Sequence, residues 1–141
     1  MTIAVDFDGT IVEHRYPEIG KERPFAIATL KRLQKERHLL ILWSVREGKR
    51  LQEAVDYCRE RGLEFYAVNK DYPEETQNHD HYSRKLKADL FIDDRNIGGL
   101  PDWGLIYRMI TERKSYRDVL MEELNASATP QQTRKWWQFG K

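Results

Sequence analysis

Thr2-Ile3-Ala4-Val5-Asp6-Phe7-Asp8-Gly9-Thr10 sets a short apolar run directly against two carboxylates, a glycine and a hydroxyl. Ile3, Ala4 and Val5 read as a strand buried inside a sheet, and the polar residues then fall at its carboxyl end. The same grammar recurs along the chain. Residues 38–44, His-Leu-Leu-Ile-Leu-Trp-Ser, form a continuous apolar run closed by Ser44. Residues 64–68 read as a third strand, and residues 88–93 as a fourth that again ends in acidic residues, Asp93-Asp94. Between these runs the apolar period changes from strand to helix. Pro24 stands where a first helical turn begins, and Ala26, Ile27, Leu30 and Leu33 follow at helical spacing. Leu51, Ala54, Val55 and Cys58 make a second helical stripe, stopped by Gly62. Gly98, Gly99 and Pro101 mark a loop, after which Trp103, Ile106, Tyr107 and Ile110 open a long last helix that Val119 and Leu120 extend. Strand–helix alternation with buried strands predicts an α/β fold, a mostly parallel sheet covered by helices on both faces.

The chain has 141 residues, the length of one ordinary domain. One domain is expected over residues 1–124, followed by a tail, 125–141, docked through Trp136 and Trp137 because an exposed aromatic cluster is adhesive. Lys+Arg is 24 and Asp+Glu 23, a formal net charge of +1. That balance gives no electrostatic reason to expect nucleic acid as a partner. The single cysteine excludes an internal disulfide and a cysteine-based zinc site. No apolar run is long enough to span a bilayer, and no signal-peptide pattern opens the chain. A cytoplasmic protein with no membrane partner, free to form a homo-oligomer, is the expectation.

In open parallel sheets ligands bind outside the carboxyl ends of the strands. Those ends here are residues 6–10, 44–46, 69–70 and 93–96. Asp8-Gly9 alone is also a common hairpin turn, and Asp93-Asp94 alone a common helix cap. Both pairs following buried strands point instead to a metal site. Converging carboxylates repel unless a cation joins them, and Mg²⁺, a hard ion that prefers oxygen, suits such a set.

These motifs, in this order, resemble the haloacid dehalogenase-like (HAD) superfamily, in its phosphohydrolase branch. Asp6-Phe7-Asp8-Gly9-Thr10 looks like its first motif and Ser44 at the end of an apolar strand like its second. Lys85 or Lys87 fits its third, and Ile92-Asp93-Asp94 its fourth. The resemblance covers about residues 2 to 110 and implies a three-layer Rossmann-like fold. It implies a Mg²⁺-dependent phosphatase with Asp6 as nucleophile, forming an aspartyl-phosphate. Asp8 would be the general acid and then the base, and would lend its backbone carbonyl to the metal. Ser44 and the lysine, with Lys85 preferred to Lys87, would bind the phosphoryl oxygens. Asp93 would be a side-chain metal ligand, and Asp94 a further one through water.

Beside these, Gly9 permits a tight turn at the phosphate, and Thr10 shapes the loop and orients Asp6. Arg46, two residues past Ser44 near the entrance, reads equally as a ligand for a substrate phosphate or carboxylate and as a solvated residue before a helix. The spacings leave no room for a large cap domain, because residues 11–43 and 45–84 are nearly used up by core elements. Only the irregular stretch 69–84 is spare. Its His79 and His81 lack a further ligand for zinc, and His14 and His38 read as structural or exposed. An open site suits a small phosphorylated substrate or a large one such as a nucleic-acid end. A response-regulator receiver or a non-catalytic phospho-ligand domain shares some of these features. A receiver, however, carries its phosphoacceptor Asp after the third strand, where this chain has Val68-Asn69-Lys70.

Overall fold

Ile3, Ala4 and Val5 are fully or almost fully buried and form the centre of strand β1 (Thr2–Val5) in a computed structural model. The structure describes the backbone of residues 1–139 and the side chains of residues 1–128. Helix α1 (Ala26–Lys35) leads to β2 (Leu39–Leu42), helix α2 (Gly48–Glu60) to β3 (Ala67–Val68), and an irregular return to β4 (Leu90–Ile92). All strand pairs are parallel, and the sheet order is β3-β2-β1-β4. The expected α/β architecture is therefore present, with no cap domain inserted among the described residues.

The order fixes where chemistry can sit. From β1 the chain steps to β2 and then β3 in one direction, so right-handed crossovers put α1 and α2 on the same face of the sheet. The chain then returns across the whole sheet to place β4 on the far side of β1. Between β1 and β4 lies the topological switch point. Alternation along the strands puts Ala4, Ile41 and Ala67 on one face, in register. Leu86, from the return connection, packs with them, and Trp43, Ala88 and Phe91 close around the cluster.

α1 buries Ala26, Ile27, Thr29, Leu30 and Leu33, the stripe its spacing predicts. α2 buries Ala54 and Cys58 and ends at Gly62, whose φ of +82° admits the left-handed turn after a helix. Leu63 N–H then closes the end on Cys58 O at 2.9 Å.

The chain divides into two compact units, Met1–Trp103 and a second from Gly104 on. The long last helix expected from Trp103 is two helices, α3 (Trp103–Glu112) and α4 (Tyr116–Phe139). The break follows from Arg113 at φ +54° and from a reciprocal cap. Asp118 N–H donates to Ser115 Oγ at 3.1 Å, and Ser115 N–H to Asp118 Oδ2 at 2.8 Å. Residues 125–139 continue α4, across Pro130, where the sequence suggested a separate tail. The docking expected of Trp136 and Trp137 lies outside the described side chains.

Candidate active site

Asp6 is the first residue beyond β1, and its N–H donates to Ile92 O, the last residue of β4, at 3.0 Å. That bond zips the two strand ends together and brings Asp6 beside Asp93 and Asp94. One carboxylate oxygen from each of the three lies within 4.8 Å of the others. All three are half-buried. Burial, the hydrogen bond to Asp94 and the charge of Asp93 push the Asp6 carboxyl up to about 7, against a weaker downward pull from Thr10. The strain is that of converging anions with no counter-charge.

Two residues of the first loop hold this arrangement. Gly9 takes φ +83°, and a Cβ there would lie 2.2 Å from Asp94 Oδ2. Only glycine lets the turn and the second acidic pair occupy the same space. Thr10 is fully buried. Its Oγ1 sits 3.1 Å from Asp6 Oδ2 and 3.2 Å from Asp94 Oδ1, and accepts Asp94 N–H at 3.0 Å. One hydroxyl thus ties both acidic strand ends, as the sequence suggested for Asp6 alone. Trp103 Nε1 donates to Thr10 O at 3.1 Å and fixes the same loop from behind.

Asp8 behaves differently from its neighbour. Its carboxylate stands apart from the acidic triad and pairs bidentately with Arg46, Nε to Oδ2 at 2.7 Å and Nη2 to Oδ1 at 2.8 Å. Arg46 is 1% exposed. Its remaining donors reach Pro17 O, Glu18 O and Arg50 O at 3.3, 2.9 and 3.3 Å. The guanidinium also lies 5.3 Å from the Phe7 ring centroid and 5.1 Å from that of Tyr16. The placement of Arg46 at the entrance as a substrate ligand is therefore corrected. It is an interior cation whose donors are spent on the protein itself, and its match to Asp8 is the strong, geometrically fixed kind. The Asp8 side chain, for its part, is not among the three converging carboxylates.

Ser44 is held from both sides by its neighbours. Its Oγ accepts Arg46 N–H at 3.0 Å, which leaves its own proton to donate elsewhere. Asn69, at φ +54° beyond β3, clamps the Ser44 backbone from both sides. Ser44 N–H donates to Asn69 Oδ1 at 2.8 Å, and Asn69 Nδ2 donates to Ser44 O at 2.9 Å. Asn69 went unnoticed as a positioning residue in the sequence. Its one available signal was an asparagine directly after a strand, the type that tolerates left-handed backbone.

A cavity of about 510 Å³ opens over these groups, lined by Asp6, Asp8, His14, Tyr16, Trp43, Ser44, Val45, Asp93 and Arg95. Neither candidate lysine lines it. Lys85 Nζ lies over the Phe91 ring, 5.5 Å from its centroid, and Lys87 Nζ donates to His81 O at 2.7 Å. The third motif is thus the one that the fold does not deliver to the site. Arg95, exposed at the rim, brings positive charge there instead. Its N–H donates to Asp93 Oδ1 at 2.9 Å. His79 is stacked on Tyr72 at 5.7 Å and bonded through Nδ1 to its hydroxyl at 2.7 Å, as an element of the return connection.

Comparison with known proteins gives one informative relation. A solved structure, described as that of a conserved protein from Bacteroides thetaiotaomicron, is 72% identical to the chain. The match covers 84% of this chain and 96% of that one, with a TM-score of 0.80. The chain belongs to the family of that conserved protein. No family model matches the chain, and no curated protein matches it significantly. No described helix is long and apolar enough to cross a membrane.

Proposed function

We propose that the chain is a Mg²⁺-dependent phosphatase of the HAD type that hydrolyses a phosphate monoester through an aspartyl-phosphate on Asp6. The observation that carries this reading is the convergence of Asp6, Asp93 and Asp94 at the sheet's switch point, under a cavity edged by the Ser44 hydroxyl. The donor set fits Mg²⁺: three carboxylates, oxygen only, with the Asp6 carboxyl pushed up to about 7 by burial and by the other two. Asp6, Asp93 and Asp94 would hold the ion, which would neutralise phosphoryl oxygens and screen the approach of the nucleophile.

The chain's own groups divide the rest. An Asp6 oxygen bonds to phosphorus as the ester oxygen leaves, and water later displaces the phosphoryl group and restores the carboxylate. Ser44 donates its free proton to a phosphoryl oxygen. Arg95 supplies the positive charge at the rim that the lysine was expected to bring. Asp8 gives the leaving oxygen a proton carried on a lone pair that Arg46 does not occupy, since each carboxylate oxygen has two, and takes one back from the attacking water. Arg46 keeps that carboxylate in one orientation. A buried single cysteine fits a reducing, cytoplasmic setting.

The test is phosphate release from an aryl phosphate with Mg²⁺ and with EDTA. Release that requires Mg²⁺ and disappears in Asp6→Asn supports the reading; Mg²⁺-independent release, or full activity of Asp6→Asn, overturns it. The Asp8–Arg46 lock favours a second reading, a domain that accepts or binds a phosphoryl group without turnover. Beryllium fluoride bound stoichiometrically at Asp6, with no phosphate released from any ester, would select it.

A further inference from the structure

We infer that the outer half of the cavity is a subsite for a planar aromatic ring carried by the leaving group, so that the substrate is the phosphate ester of a phenol or of a nucleoside. The inference rests on the phosphatase reading for which end of the ligand meets Asp6. A cavity of about 510 Å³ takes a ligand of ordinary organic size, far more than a phosphate. Past the carboxylates and Ser44, its wall is made by Tyr16, Trp43 and Val45, with His14 and Arg95 the remaining polar groups.

That wall is apolar, open and fixed. Tyr16 is 50% exposed and Val45 82% exposed, although both border a charged site. Neither is a loose surface residue. Tyr16 lies against the buried Arg46 guanidinium, which also binds the next two carbonyls, Pro17 O and Glu18 O. Val45 sits between Ser44, clamped by Asn69, and Arg46, anchored on Asp8. Trp43 packs on the core cluster under the sheet face. Pre-organised aromatic surface binds flat rings well because little side-chain freedom is lost. A polyol leaving group needs many hydrogen-bond partners, and past the carboxylates and Ser44 the wall offers only His14, Arg95 and the Tyr16 hydroxyl as polar side-chain groups.

The experiment measures binding by calorimetry to full-length Asp6→Asn, which holds substrate without turnover, in Mg²⁺. The probes are phenyl phosphate, a nucleoside 5′-monophosphate, glycerol phosphate and a hexose phosphate. At least one aromatic probe is expected to bind about tenfold tighter than either polyol probe. Adding Tyr16→Ala should shrink that preference to about threefold or less, and Tyr16→Phe should restore it. On the otherwise wild-type chain, Tyr16→Ala should raise KM for the aromatic ester while kcat moves less than about twofold, as for lost uniform binding. Whichever aromatic probe shows the Tyr16-dependent preference identifies the source of the ring. Equal binding of aromatic and polyol probes, or a preference unmoved by Tyr16→Ala, overturns the subsite and leaves the phosphatase reading standing. Absence of turnover for every ester overturns the phosphatase reading alone if the Tyr16-dependent preference persists, and both if it does not.

Discussion

Arg46 carries a charge that is almost wholly removed from water, and Asp8 is the carboxylate that matches it. Removing one partner of such a pair leaves the other buried and uncompensated, which costs about 3–5 kcal/mol. Asp8→Asn and Arg46→Gln should each lower the urea midpoint by that equivalent, and the double variant should cost less than their sum. Urea titrations of the four proteins give the coupling directly. Asp6 predicts the opposite sign. In the metal-free protein its carboxyl titrates near 7, above its ordinary 3.8, so the folded chain holds a proton that the unfolded chain releases. Its contribution to stability is complete below pH 3.8 and is lost as pH climbs through 7. Asp6→Asn in EDTA at pH 8 should therefore be more stable than wild type, by about 1–2 kcal/mol once solvent screening is allowed for. Thermal melts at pH 5 and pH 8 check it, and the difference should be smaller at pH 5.

At the scale of elements, the first loop is the part on which the site depends most. Gly9→Ala places a methyl carbon 2.2 Å from Asp94 Oδ2 and forces an L-residue to φ +83°. Gly98 has a similar φ, +99°, but open space around it. Gly98→Ala should cost about 1 kcal/mol, the backbone contribution alone. Gly9→Ala should cost clearly more and also displace Asp94, so that any Mg²⁺-dependent shift in melting temperature is reduced. The contrast separates steric from conformational effects in a pair of melting curves.

The strands and the first two helices were legible because their apolar spacing and the packing that buries it are the same fact. The positions of Asp6 and Asp93 were legible for a similar reason: a residue just past a buried parallel strand has one place to be. What escaped was set by tertiary contact. Nothing local marks Arg46 as the partner of a carboxylate 38 positions away. Nor does local sequence tell Lys85 to lie over Phe91 instead of entering the cavity. The break at Arg113–Ser115 was hidden because no glycine or proline marks it: residues 111–118 are Thr-Glu-Arg-Lys-Ser-Tyr-Arg-Asp.

For the molecule as a whole, an ion that binds only the folded state stabilises it by mass action, about 2.7 kcal/mol at a hundredfold excess over Kd. Mg²⁺ should accordingly raise the melting temperature by several degrees, EDTA should reverse the rise, and Asp93→Asn should abolish it. The two strand ends that would supply these ligands, Val5-Asp6 and Ile92-Asp93, are distant in sequence and joined in register. Metal and sheet should therefore melt in one transition within Met1–Trp103.

The buried pair also bears on how this family can vary over time. A chain that lost only the acid at position 8, or only the base at position 46, would be left with a charge stranded in its interior. Such half-steps are disfavoured whatever the substrate. Among natural relatives, the two positions should then drift as a linked couple, both keeping their charges or both surrendering them. An alignment of family members in which one changes freely while the other stays would show that the interior tolerates the orphan after all.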